Sequence, residues 1–528
     1  MTRPLPGIRV DVAAPVADAV LPRMDIAVFV GFASTGPLHR PLPVESIAQY
    51  EAVFGVDAQL AIDPRSGEAQ TAFLGSAVRA FFANGGRRCW VVRVARSAAL
   101  AAAGAPASQA QLARYNRFAV PGVLALKTLG SVPALSGAEL IARCEGSWSD
   151  GLRTATALAA QGLTLSALHH AGATHQFRFR STAPLARGDL IAFADPAVAD
   201  PARGRQVYAV VHEVINEAGT ATAALRRSRL VHVQCCAAFA PLGLAAAPER
   251  LGILRIPGAA TVQARLLESD GEVRISAQAL RATRRLQLGQ WVVWRAPGET
   301  VWMRVDAFDA SAMPGPILRG QAWRTLADEM PLPLAAVRRA AVLTLDLRVQ
   351  AGTTAAHRQN GVGLSNAHAA SWQRLLTDDA HYAAAAADAG AERGRTLALG
   401  ARFPLAADPA QTVAAWLPLG VDAQFGAAPG AEPQRDDALE RDGLSRFDAA
   451  LFLDPALIGS GLAVLRAQAE QIAYAATQPR ALFGVHAAFG LGRDGVFDEA
   501  TLIAIPDAVH YGWERYRPKA PPVGPIRP

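Results

Sequence analysis

Two kinds of apolar run recur along the chain. The first is apolar at nearly every position, as in Ile26-Ala-Val-Phe-Val-Gly-Phe32 and Cys89-Trp-Val-Val-Arg-Val94. Short runs without a polar face predict central strands covered on both sides by helices. Between these two runs the spacing changes to a helical period. Val44–Phe54 puts Ile47, Tyr50 and Phe54 on one face, and Thr71–Asn84 puts Phe73, Ala77, Ala80 and Phe81 on another. Asn84-Gly85-Gly86 stops the second helix. Strand, helix, helix, strand predicts an α/β unit with a parallel pair.

The second kind of run alternates. Ile8, Arg9, Val10, Asp11 and Val12 read as a short strand with one polar face, and an Ala/Pro-containing stretch over 13–23 separates it from the first core strand. Between 138 and 350 strands predominate: Phe177–Arg180, Leu190–Phe193, Val207–Val214, Leu230–Val233, Val273–Ser276, Trp291–Trp294, Val301–Val305 and Leu343–Val349. An internal repeat lies here. Leu185-x-x-Gly188-x-x-Ile191-x-Phe193 matches Leu286-x-x-Gly289-x-x-Val292-x-Trp294, and the later strand turns through Ala296-Pro-Gly298. Two related β-units inserted into one α/β body follow from this pattern.

Elsewhere the pattern is weaker. Residues 100–135 are rich in Ala, Gly and Pro and read as a linker or loop, and 405–445 read as loop-rich. Asp448–Leu453 and Ala500–Ile505 read as buried strands, Ser371–Leu376 as a short helix, and Leu462–Tyr474 as a longer one. The segment after 516 is an extended Pro-rich tail. The organisation expected is an extended N-terminal arm (1–25), a first part of an α/β (α+β mixed) core (26–135), inserted all-β domains (136–350), a second part of the core (351–515) and the tail (516–528).

Composition agrees with a multi-domain globular chain. At 528 residues, about three to four folded units are expected. No stretch approaches the length of a spanning helix, and Met1–Gly7 lacks the apolar centre of a signal peptide, so synthesis in the cytoplasm without membrane insertion is expected. The net charge of +7 raises the question of nucleic acid, but Lys127 and Lys519 are the sole lysines among 52 basic residues. The arginines fall in scattered doublets such as Arg87-Arg88 and Arg284-Arg285, with no aromatic series between them. That pattern describes solvated faces and predicts no nucleic-acid partner. Cys89, Cys144, Cys235 and Cys236 read as reduced core thiols.

Candidate chemistry is sparse. Gly490-Leu-Gly492-Arg-Asp-Gly495 satisfies G-x-G-x-x-G, but a helix-like segment precedes it and a strand follows, the reverse of a dinucleotide site. His212-Glu213 has Asn216 where a zincin needs its second histidine, and His232 with Cys235 and Cys236 is half a zinc site. Asp507 and His510 flank the end of a strand, where α/β enzymes often place catalytic groups, but no nucleophile accompanies them. No catalytic residue, cofactor or metal is assigned, and an α/β enzyme with β-insertions remains the less favoured alternative.

Several segments do carry a family pattern, in order and spacing. They are Pro6–Val12, Ile26–Leu38, Ile47–Gly55 and Ala77–Val94, then Gly146-Ser-Trp-Ser-Asp-Gly-Leu152, Gly361–Trp372 and Phe497–Asp507. Together they resemble contractile tail sheath proteins of myophages and related contractile injection systems. The resemblance implies a structural subunit, not an enzyme, that stacks in helical rings around an inner tube. Its implied partners are copies of itself, the inner tube protein, and baseplate or cap proteins. Its implied location is the cytoplasm during assembly and then the phage tail or contractile particle. An N-terminal arm, here Ile8, Arg9, Val10, Asp11 and Val12, would add a strand to a neighbour's sheet. The C-terminal part of the family pattern, beyond Asp507, is missing from this sequence. Either the chain is a sheath-like adaptor or decoration protein that does not polymerise, or that portion lies elsewhere.

Overall fold

The computed structural model describes residues 25–62, 66, 68–104, 112–129, 134–171, 174–180, 182–194, 204–216, 228–242, 250–257, 261–267, 272–277, 286, 288–326, 339–351, 356–387, 402–420, 438–475, 477, 480–489, 496 and 500–510. The arm residues Ile8, Arg9, Val10, Asp11 and Val12, the Gly490–Gly495 turn and the Pro-rich tail lie outside them.

The two mostly apolar runs form the centre of a four-stranded sheet. Ile26–Gly31 and Arg88–Arg93 run parallel, with Ile26 opposite Arg88 and Gly31 opposite Arg93. Pro41–Val44 adds antiparallel to the outer side of Arg88–Arg93, and Leu502–Ala504 adds parallel to Ile26–Gly31. Successive residues of Ile26–Gly31 point to opposite faces, and both faces are covered. Ala27 and Phe29 pack with Tyr50, Phe54, Leu74 and Val78 of two helices, while Val28 and Val30 pack with Leu451, Phe452, Phe483 and Ala487. Each such buried side chain contributes about 1.5–3 kcal/mol, and this explains why no position in the strand is polar.

The helices are Ile47–Phe54, capped by the Ser46 hydroxyl accepting from Gln49 N–H at 3.2 Å, and Leu74–Ala83. The second helix turns its Leu74/Val78 edge inward, one residue round from the expected stripe, and Phe73 is 43% exposed. Phe73 precedes the helix as its N-cap, and residues 69–71 form a short strand with Gln59–Ile62.

The linker expected over 100–135 is corrected by the structure. Arg117–Leu126 and Leu135–Ala142 are antiparallel strands, and they form the middle of a second four-stranded sheet with Leu405–Ala407 and Ala415–Pro418 from the region read as loops. Ala119 pairs with Glu139 but the next pair is Leu124 with Gly137, so Pro121-Gly122 sits in a bulge that hides the alternation. The bulge keeps its backbone satisfied from outside: Thr154 and Thr156 hydroxyls donate to the carbonyls of Ala119 and Pro121 at 3.1 and 3.0 Å.

Among the described residues the β-rich middle forms one continuous antiparallel sheet of 16 strands, with a separate core in each of its two units. The first unit packs Phe177, Phe179, Phe193, Val207 and Val231 together, and the second packs Leu254, Val273, Trp294, Met303 and Leu318. The long strand Ser228–Pro241 joins them. It pairs with Gln206–Asn216 in the first unit, and through Ala238–Pro241 with Ala322–Leu326 in the second. The repeated motif makes the same turn in both units. Gly188 and Gly289 have φ of +87° and +83°, and their N–H groups donate to Val211 O at 2.8 Å and Val305 O at 2.7 Å. The expected hairpin through Pro297-Gly298 pairs Trp291–Ala296 with Glu299–Arg304.

Two further expectations change. Asp448–Leu453 is not a strand: Asp448 caps Ala450 N–H at 3.0 Å and Ala449–Phe452 is a short 3-10 turn. The strand near 500 is present, but as an edge strand with Leu502 41% and Ile503 42% exposed, not a buried one. Among the described residues no helix is long and apolar enough to cross a membrane.

Candidate functional site

Leu502–Ala504 pairs on one side with Ala27–Phe29, and among the described residues nothing pairs with its other side. Open backbone donors and acceptors beside exposed apolar side chains make a template for another strand. Val509, just beyond, is 66% exposed and extends the apolar patch.

What holds this edge in place is Asp507. The turn Pro506–Val509 carries its carboxylate under the end of the central strand, where it is fully buried. One oxygen accepts from Phe32 N–H at 2.8 Å and the other from Phe73 N–H at 2.6 Å, so one side chain ties the strand end, the helix start and the edge strand together. Gly31 makes room for it, since a Cβ there would lie 2.3 Å from Asp507 Oδ2. His510 Nε2 lies 3.1 Å from Oδ1, and its ring stacks on Phe73 at 4.5 Å and 8°. Burial pushes the Asp507 carboxyl above the usual range, against the pull of the two amides and His510. The pair singled out as a possible catalytic dyad is thus brought together, but with both carboxylate oxygens engaged by backbone and no hydroxyl or thiol among the partners of Asp507. Its geometry is that of a clamp.

A second constellation joins the α/β sheet to the second sheet, and it centres on the Gly146-Ser-Trp-Ser-Asp-Gly-Leu152 motif. Arg93, at the end of its strand and 1% exposed, donates to Gly36 O at 2.7 Å and to Glu145 O at 3.1 Å. Ser147 donates through its N–H and hydroxyl to Asp442 at 2.6 and 2.9 Å, and Arg441 holds Asp150 in a two-pronged pair. Asp378 lies between Arg402 at 2.8 Å and Arg143 at 3.7 Å. Burial, with the Asp379 charge adding to it, pushes Glu145 up to about 7, opposed by its own backbone amide, Arg93 and Tyr115. The motif itself was visible in the sequence. Its ionic partners, up to three hundred positions away, carried no local signal.

None of the four cysteines is joined in a disulfide, and burial pushes Cys89 and Cys144 up to about 12, which disfavours the reactive thiolate at both. His232 approaches Glu213 on the neighbouring strand at 4.0 Å, and among the described residues no three His, Cys, Asp or Glu side chains gather as a metal site.

No protein-family model matches the chain, and no curated protein matches it.

Proposed function

We propose that the chain is a structural subunit of a contractile sheath or sheath-like particle, held to its neighbours by strand addition. The observation that carries this reading is the open apolar edge Leu502–Ala504 on a sheet otherwise covered on both faces. An alternating segment such as Ile8–Val12 is the kind of strand such an edge accepts. About four inter-chain hydrogen bonds at ~0.5–1.5 kcal/mol each give roughly 2–6 kcal/mol per link. One link is weak, but a lattice multiplies it because each contact makes the next one local. The Asp507 clamp supports the same reading, since it fixes the edge to the sheet centre so that load on an added strand passes into the core. Its partners on this reading are further copies of the chain, a tube protein and baseplate or cap proteins.

Electron micrographs of the protein purified with its neighbouring gene products test this directly, with rings, tubes or particle-bound subunits expected. Deletion of residues 1–20 and Ile503→Lys should each abolish those assemblies while leaving monomer thermal unfolding unchanged, because a lysine on an edge strand blocks further pairing. Dispersed monomers in every preparation, with and without a tube protein, overturn the proposal.

A further inference from the structure

The turn at Gly289 meets a proline ring where its counterpart meets backbone. It opens on a cavity of about 580 Å³ between the second sheet and the hairpin Trp291–Ala296/Glu299–Arg304. That volume lies within the ~300–1,000 Å³ typical of small-ligand sites. Trp291 and Trp302 form its floor at 3% and 5% exposure, and the indole N–H of each is buried without an acceptor. A buried donor left unpaired costs about 1–3 kcal/mol.

The rim is cationic. Lys127, Arg255 and Arg295 line the cavity from three different strands or their ends, all exposed, and none has an ion-pair partner among the described residues. The carboxylate in the wall, Glu139, is held by Arg117 at 3.5 Å. Gln290 and Gln411 add amides. The wall is therefore rich in donors, poor in acceptors and positively charged, over an aromatic floor. The lining residues lie on strands and turns, and among the described residues no helix N-terminus lines the cavity to cradle a phosphate.

We infer that this cavity binds an acidic saccharide, whose carboxylate pairs with the Lys127/Arg255/Arg295 rim while its ring and hydroxyls meet the indoles and glutamine amides. Ring hydroxyls and ring oxygens supply acceptors for the donor-rich wall, and a carboxylate balances its charge. The inference stands apart from the assembly reading, and neither requires the other.

Titration calorimetry of the full chain with digalacturonic acid tests it, with neutral maltose and inorganic phosphate as comparison probes. Digalacturonic acid should bind at least tenfold more tightly than either, and raising the salt concentration should weaken it. The double variant Arg255→Ala/Arg295→Ala should lose at least tenfold in affinity while its circular dichroism and thermal unfolding match the unaltered protein, because both side chains are exposed. A second variant, Lys127→Ala, should weaken binding to a smaller extent. The inference is overturned by absent binding of digalacturonic acid, by equal binding of maltose, by phosphate binding as well as the sugar, or by an unchanged affinity in the double variant.

Discussion

At Gly188 and Gly289 the chain makes the same turn twice, with the same handedness and the same hydrogen bond to the following strand, and then surrounds the two turns differently. A Cβ at Gly188 would lie 2.3 Å from His368 N and 2.4 Å from Ala367 C, so the segment 365–371 is pressed against the turn. Ser365 is fully buried and its hydroxyl donates to Gly188 O, while His368 reaches Asp189 at 3.3 Å. At Gly289 the nearest atoms to such a Cβ are those of the Pro121 ring at 3.3 and 3.4 Å, and Gln290 stands where the first unit has Asp189. The first turn is sealed by backbone and the His368–Asp189 contact. The second is neutral, covered by a proline ring and beside a cavity. A repeated device thus supplies the strand geometry in both units, and its surroundings decide whether it serves the fold or leaves space for a ligand.

The largest break in this comparison comes from the glycines themselves. Gly188→Ala adds a left-handed residue, worth about 1–2 kcal/mol, to a backbone overlap that no side-chain rotation relieves. A loss of at least ~3 kcal/mol is expected, since overpacking adds about 1–3 kcal/mol. Gly289→Ala meets the Pro121 ring at 3.3 Å, which a small shift relieves, so it should cost less than Gly188→Ala, with about 1–2 kcal/mol from the conformation. Hydrogen exchange reads each locally, at Val211 N–H, which donates to Asp189 O, and at Val305 N–H, which donates to Gln290 O. Equal effects at the two positions would mean that the seal over the first turn yields easily.

The next test removes the seal and leaves the turn. Ser365→Ala strips a donor from the buried Gly188 carbonyl, and an acceptor left with one bond fewer costs about 1–3 kcal/mol. Exchange at Val211 should accelerate accordingly, while Val305 is untouched because the two turns share no partner.

The repeat was legible because its elements are conformational: a glycine at positive φ, an apolar residue three positions before it, and alternating apolar residues after it read the same in both copies. The central parallel pair was legible for a similar reason, since strands covered on both faces keep their interior positions apolar, with Arg88 and Arg93 confined to the ends of one. The second sheet was not, because the Pro121-Gly122 bulge interrupts its alternation and the carbonyls that the bulge exposes are satisfied by Thr154 and Thr156, a contact only tertiary structure creates. Leu502 and Ile503 were read as buried because apolar residues at a sheet edge look the same in sequence as apolar residues at its centre. The cationic rim escaped notice altogether, since Lys127, Arg255 and Arg295 are separate residues among many arginines until the two sheets bring them to one cavity.

The smallest effect expected is also the one that isolates charge. Burial raises the Asp189 carboxyl above its ordinary value, against the pull of the Ala186 N–H and of His368. The folded state therefore holds this proton to higher pH than the unfolded chain, where the group titrates near ~3.9. The contribution is fully present below that value and is lost as pH rises through the folded one, because between the two the native state binds the extra proton. Asp189→Asn keeps an oxygen able to accept from Ala186 N–H, which donates to the carboxylate at 2.6 Å, and abolishes the titration. The difference in thermal midpoint between the variant and the unaltered protein should shift in favour of the variant as pH is raised out of the acid range, and then level off. Gln290, the neutral residue at the matching position, makes the control: Gln290→Glu should give no slope of that sign, because beside the cavity and its cationic rim the charged carboxylate is favoured. A slope of equal size in the second unit would show that the repeat itself, and not the packing over it, sets the cost of a charge at this position.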